Sequence, residues 1–462
     1  MTHSSPAILP PAQLRMTWFT RAWAAAALFH VAGDIRTDTS DPALTTLNIL
    51  LPLSACLTLL RPERRHLAVL CGLTILLAWF ETPRLGNHWL LAALISLTVL
   101  TGVARRTSDA ALERPIRATL LIAYAFAASA KLNTDFLNAT VSCAAFYHDQ
   151  LTRSWGLPAL PALAPLAAPV ALITELTVAA SLAWRRTRRW GLALACGFHW
   201  LLAMDLFQHF WDFSAVLFAA FILFLDDDQT RHAAAWLQRP QARRVPPAVT
   251  QRGLLILGAV TALLAATNTR TTDGLLAQLG QLGWTVYGTA ALIAVLALIR
   301  TPRTPALPTP APRPAAALYL AAVLAFVNGL TPYLELKTAY GWNMYSNLRT
   351  EAGVSNHLII RRTADLTGAQ RDLVRVVRTA DPALDRLRKD GYALPFVEFQ
   401  RYARQHPDVT VTYARTGQAE RTERLGDNPD LTAPAPLARL HAFRVIDLRG
   451  PQRCLTSFSG AR

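Results

Sequence analysis

Apolar runs recur through the first 332 residues, separated by short loops that carry arginine. That alternation leaves little room for anything but helices threaded through a membrane. Hydrophobic residues make up 52% of the chain and charged residues only 16%, against about 25% charged in soluble domains. Eleven membrane helices are predicted, at about 17–33, 43–60, 66–80, 88–104, 116–131, 159–184, 190–206, 212–226, 251–268, 282–299 and 315–332. Several fall short of the ~20 residues a full span needs. Those at 66–80 and 212–226 are tilted, broken or longer than drawn, and the count stands between nine and eleven.

The net charge of +16 raises nucleic acid as a partner, and the placement of the charge argues against it. Arg15 and Arg21, then Arg61, Arg64 and Arg65, then Arg185, Arg186, Arg188 and Arg189 sit in alternate loops between apolar runs. The intervening loops carry only Arg36, Arg84, Lys131, Arg153 and Arg270. Such asymmetry follows the positive-inside rule with a cytoplasmic N-terminus. An odd number of crossings then puts the C-terminal region outside. Residues 301–314 form a stiff proline-rich linker. Strand-like runs at Asn356–Arg362, Asp408–Ala414 and Ala442–Leu448 mix with helix-like stretches at 368–380 and 394–405. The fold class expected is therefore an all-α polytopic membrane helix bundle, residues 1–332, with a small extracytoplasmic α+β domain, residues 333–462.

Five cysteines are widely spaced and no CxxC, HExxH, phosphate-loop or GxGxxG pattern occurs. A metal site, a disulfide framework and a nucleotide fold all lack support. No internal repeat appears, which argues against a transporter. Arg15 and Arg21 before a short apolar run fit either a signal peptide or a first helix that is retained.

Lys131 stands out. It is one of three lysines among 46 basic side chains, and it ends the apolar run Leu120–Ala130. An ionisable group in such a run marks a functional site by default, although a lysine near a helix end also snorkels to the interface. Asp135, four residues on, shares its face if the helix persists. Glu81, Asn87 and His88 form a second cluster, where His88 relays a proton or merely begins a helix. His199 and Glu175 lie inside apolar runs and pair with each other, with backbone, or take part in chemistry; Asp205 and His209 follow His199. A fourth cluster, Tyr340-Gly-Trp342-Asn343-Met344-Tyr345-Ser-Asn347-Leu-Arg349, with Asn356 and His357 downstream, offers aromatic, thioether and amide groups suited to an apolar ring.

Taken in order, these motifs resemble the vitamin K-dependent γ-carboxylase-like family, also called the horizontally transferred transmembrane (HTTM) domain family. Ala128-Ser-Ala-Lys131-Leu-Asn-Thr-Asp135-Phe is similar to the family's segment around its catalytic lysine. Asn87-His88, with Glu81 seven positions before the histidine, resembles its Asn-His pair. Phe198-His199 resembles its Phe-His, and Tyr340-Gly-Trp342-Asn343-Met344, with Arg349 after it, its vitamin K pocket. The match spans roughly residues 15–362 and implies a first helix that is not cleaved.

The resemblance implies that Lys131 deprotonates a reduced naphthoquinone with help from His88. Asn87, Trp342, Asn343 and Met344 would line the quinone site, supported by Glu81, Asp135, Glu175, His199 and Arg349. Oxygen adds, the quinone leaves as an epoxide, and the strong base formed drives carboxylation of a glutamyl residue by CO2; no metal takes part. Asn343, Tyr345 and Asn347 depart from the family's Asp, Met and His, and only about 130 residues follow the last helix, so the glutamyl peptide substrate stays open. High alanine and arginine usage fits a bacterium with a GC-rich genome, where menaquinone is the available quinone and the cytoplasmic membrane the location. The alternative is a non-enzymatic quinone- or lipid-binding relative with an immunity, sensing or assembly role.

Overall fold

The structure, a computed structural model, describes residues 9–34, 42–83, 85–158, 160–238, 270–304, 313–433 and 439–454. The helix expected at 251–268 and most of the proline-rich linker lie outside these residues. The described residues are mostly helical. In order they form α1 (Pro11–Asp34), α2 (Pro42–Leu60), α3 (Arg64–Glu81), α4 (Asn87–Ala104), α5 (Asp109–Ala130), α6 (Thr134–Leu137), α7 (Cys143–Ser154), α8 (Ala164–Ala183), α9 (Arg188–Leu202), α10 (Phe210–Phe221), α11 (Asp227–Leu237), α12 (Arg270–Ile299) and α13 (Leu320–Leu330). Among the described residues, four helical stretches are long and apolar enough to cross a membrane: Pro42–Leu60, Asn87–Ala104, Ala164–Ala183 and Gly274–Ile299. The remaining expected spans with described residues fall on helices that are shorter or carry more charge.

Two compact units divide the chain. One comprises residues 1–80, 88–122 and 177–325. Within it α1 packs against α2, α10, α11 and α12. Every residue of α10 except Phe213 is buried, as expected of a helix that is apolar on all sides. Ion pairs link its helices. Arg15 on α1 grips Glu113 with both arms of its guanidinium, at 2.7 and 3.2 Å, and reaches Asp227 at 2.6 Å. Arg189 on α9 bonds both oxygens of Asp226 at 2.5 and 3.0 Å. Asp226 also begins α11, accepting the Gln229 N–H in a capping box. Arg15 and Arg189, which read in sequence as topology-setting loop charges, are therefore buried partners of carboxylates.

The second unit comprises residues 81–87, 123–176 and 326–462. Its C-terminal part holds a hairpin, β1 (Thr350–Glu351) with β2 (Val354–Ser355), and a five-stranded antiparallel sheet. The sheet is built from β3 (Leu373–Thr379), β4 (Tyr392–Pro395), β5 (Thr410–Arg415), β6 (Arg421–Arg424) and β7 (Ile446–Asp447), in the order β6-β5-β3-β4-β7. Helices α14 (Pro382–Asp390) and α15 (Phe396–Gln405) add Leu384, Leu387 and Phe399 to a core with Val374, Val376, Val411 and Tyr413. Local chemistry fixes α14. Asp381 caps it, Pro382 begins it, and Gly391 ends it at φ +77°.

Three expectations for this region need correction. Residues 368–380 are not helical; Val374 and Val376 alternate inward with exposed Arg375 as strand β3. A register shift between Val376 and Arg378 breaks the two-residue period, which is why the run reads as helix-like. Asn356–Arg362 makes only isolated bridges, Asn133 with His357 and Val354 with Arg362, and Ala442–Leu448 shortens to the two residues of β7. The cysteines also do more than expected: Cys143 and Cys454, 311 residues apart, form a disulfide, which no spacing rule reveals. Cys56, Cys71 and Cys196 are buried free thiols.

One close approach tests the packing of the first unit. A Cβ at Gly280 would stand 2.3 Å from the ring of Trp211, itself fully buried. Gly280→Ala should therefore destabilise the protein by about 1–3 kcal/mol through overpacking, read as a fall of several degrees in thermal denaturation in detergent. Gly283→Ala, whose Cβ would make only an ordinary 3.6 Å contact with Phe29, should change little.

Candidate functional site

Nine of the eleven candidate residues fall in the second unit; His88 and His199 belong to the first. The junction after α5 sets the position of Lys131. The helix stops at Ala130, and the buried Asn133 takes over. Its Nδ2 donates to the carbonyls of Ala130 at 2.7 Å and Ser346 at 2.6 Å, while its Oδ1 caps α6 by accepting the Phe136 N–H at 2.8 Å. Ala130 packs with Tyr333, Leu348 and Phe126.

Lys131 is buried in this setting. Its Nζ donates to the Ala127 carbonyl at 3.3 Å and lies 2.8 Å from Oε2 of Glu175 on α8, an ion pair without the alignment of a linear hydrogen bond. Glu175 thus partners Lys131. Asp135 does not, because the helix has ended. Its Oδ2 instead accepts the Gln452 N–H at 2.8 Å.

Several other candidates shape the backbone. Tyr340, Trp342, Tyr345 and Asn347 all take positive φ, a conformation that costs roughly 1–2 kcal/mol per non-glycine residue. Side-chain amides hold this strained run. Asn87 Oδ1 accepts the Trp342 N–H at 3.0 Å. Asn343 accepts the Gly341 N–H and donates to Thr338 O at 2.7 Å. Asn347 donates to Val141 O and Gln452 O, and accepts the Cys143 N–H, all at 2.8 Å. Arg349 donates to Gly450 O at 2.9 Å and pairs with Glu351. The amide bonds of Asn87 and Asn343, expected at a quinone, thus go to backbone. Trp342 is buried, Met344 half-buried, and Glu81 buried at the end of α3.

His357 clasps the same junction. Its Nδ1 accepts the N–H groups of Ile359 and Ile360, so Nε2 carries the proton and donates to Ser129 O at 3.0 Å. Burial lowers its pKa below the ordinary value and favours that neutral form.

In the first unit, His88 Nε2 lies 2.8 Å from Asp212 Oδ2, and His30 Nδ1 lies 2.9 Å from the same oxygen. The His30 ring stacks on Trp89 at 3.6 Å. Phe213 lies edge-on to both His88 and His199, while the His199 carbonyl accepts the Ser214 hydroxyl at 3.0 Å.

Sequence reasoning passed over His30 and Asp212. Both are ionisable residues inside apolar helices, so the signal that marked Lys131 was present. It also passed over Lys337, whose Nζ donates to Asn328 Oδ1 at 2.6 Å. With an amide as partner, burial pushes the Lys337 amine down to about 8.

No family model, curated protein or solved structure matches the chain.

Acylation by an amine-reactive ester, followed by peptide mass spectrometry, tests the Lys337 environment. Only the neutral amine reacts, so its rate should rise with pH and level off above a midpoint near 8. A midpoint above 10 would contradict the burial argument.

Proposed function

We propose that this chain is a multi-pass bacterial membrane protein of the γ-carboxylase-like type, in which Lys131 is the base that deprotonates a reduced naphthoquinone. The observation that carries the reading is the pairing of the buried Lys131 with the partly buried Glu175 at 2.8 Å. A pair holding one transferable proton has two forms, ammonium with carboxylate and amine with carboxylic acid. Transfer to Glu175 leaves a neutral amine that takes the phenolic proton, and loss of the Glu175 carboxyl proton to solvent resets the pair.

The quinol, when bound, supplies the oxygen chemistry and the epoxide product. Trp342 and Met344 supply ring and thioether contacts, and Asn87 and Asn343 fix the loop that carries them. The proton step is assigned to Lys131 and Glu175, because His88 Nε2 is already engaged by Asp212. The Cys143–Cys454 disulfide supports an N-terminus in the cytoplasm and a C-terminal region outside, where disulfides persist. Carboxylation of a glutamyl peptide by CO2 is the coupled step within this proposal.

The closed ion pair also favours a second reading, a non-enzymatic quinone- or lipid-binding protein in which the lysine is structural. Purified full-length protein in detergent, given chemically reduced menaquinone and oxygen, separates the two. Wild type should form menaquinone epoxide, detected by mass spectrometry. Lys131→Arg and Glu175→Gln should each lose at least about 100-fold, the lower end of the usual 10²–10⁴ range for a lost proton-transfer group. Quinone binding without epoxide would establish the binder; equal epoxide from Lys131→Arg would remove the lysine from the mechanism.

A further inference from the structure

Three helices of the first unit aim ligand atoms at one point. His30 comes from α1, His88 from α4 and Asp212 from α10, and their ligand atoms lie within 4.8 Å of one another. Sequence spacing of the usual kind cannot reveal such a set, because its members are 58 and 124 positions apart.

Two details distinguish the cluster from an ordinary hydrogen-bonded carboxylate. First, both imidazole nitrogens converge on Oδ2 of Asp212, at 2.8 and 2.9 Å. Oδ1 is buried without a hydrogen-bond partner among the described residues. Two donors competing for one carboxylate would be expected to divide between its oxygens; a set of ligands around a common centre gathers on one side. Second, among the described residues the ionisable groups that contact Asp212 are these two histidines. A carboxylate buried to this degree requires a cation close by. Unless a ring is protonated, the described residues in contact with Asp212 offer none, and a metal ion would supply one.

The geometry allows it. A four-coordinate ion with bonds of about 2.1 Å spaces its ligand atoms by roughly 3.4 Å, so small ring rotations bring the three atoms into a shell. His30 is held against Trp89. His88 is the more open member, its side chain 14% exposed against 2% for the other two, and marks the side of entry. Two imidazoles and a carboxylate suit zinc, iron(II), manganese or cobalt, with no thiolate present to select softer ions.

We propose that His30, His88 and Asp212 bind one divalent transition-metal ion and leave at least one coordination position for an exchangeable oxygen ligand. This goes beyond the quinol reading and needs none of its chemistry. The test uses full-length protein in detergent, purified without a polyhistidine tag, stripped with chelator and exposed to Zn2+ or Co2+. Elemental analysis should find about one equivalent per chain, Co2+ should give visible d–d bands, and Zn2+ should raise the melting temperature.

His30→Ala, His88→Gln and Asp212→Asn should each reduce bound metal at least tenfold and abolish the thermal shift, while retaining helical circular dichroism. His66→Ala, at an exposed histidine elsewhere, should retain full binding. Wild type that holds no stoichiometric Zn2+ or Co2+, or a folded Asp212→Asn that binds as well as wild type, would overturn the proposal and leave a proton-sharing His–Asp–His cluster. Neither result bears on epoxide formation, so the two proposals fail separately.

Discussion

Charge buried among apolar helices must find an opposite charge, and that requirement explains the main polar contacts of both units. Arg15 with Glu113, Arg189 with Asp226 and Lys131 with Glu175 all meet it. An exposed ion pair is worth about 0–1 kcal/mol. Removing one partner from a buried pair costs about 3–5 kcal/mol, because the other is left uncompensated. Each pair therefore acts as a registration point that helices cannot slip past cheaply. None of them is strong evidence of net stability, since well-packed apolar residues of similar volume often do as well. Their effect is to fix which residues of separate helices face one another.

What the sequence made legible follows from the same physics. Ten of the eleven expected membrane segments have described residues, and each overlaps helix, because long apolar runs admit few other structures. Lys131, His88, His199 and Glu175 stood out as ionisable groups in or beside those runs, and each is indeed held by specific neighbours. Partner identity was not legible. Asp135 looked well placed at four residues from Lys131, yet Asn133 ends the helix between them and turns Asp135 toward Gln452. Glu175 is 44 positions away and nothing local connects it. The Cys143–Cys454 bridge and the His30–His88–Asp212 group failed for the same reason: pairing across a chain is decided by packing. Strand β3 was misread for a different reason, a bulge that disturbs the alternation of its valines.

The strained loop at Tyr340–Asn347 shows how polar residues can look catalytic while serving the backbone. Four non-glycine residues with positive φ would relax unless the surroundings over-determine them. Asn87, Asn343 and Asn347 do so by spending their amides on main-chain groups, and the disulfide at Cys143 anchors the segment that Asn347 binds. Strain held in this way is a mark of functional loops, and it keeps the Trp342 ring buried in one orientation.

The buried Lys131 and the half-buried Lys337 are the two candidates for the proposed base, and the comparison turns on turnover. The Lys337 amine is readily left neutral, since its partner is the Asn328 amide and desolvation pushes it down to about 8. An amide cannot accept the proton that a base must eventually give up. Lys131 has Glu175 2.8 Å away, a carboxylate that can take a proton and pass it on. A base that works once needs only a depressed affinity for its proton; a base that works repeatedly needs somewhere for the proton to go. By that criterion Lys131, just after α5, with Glu175 on α8 fits the proposed catalysis, and the Lys337–Asn328 contact suits a fixed bond.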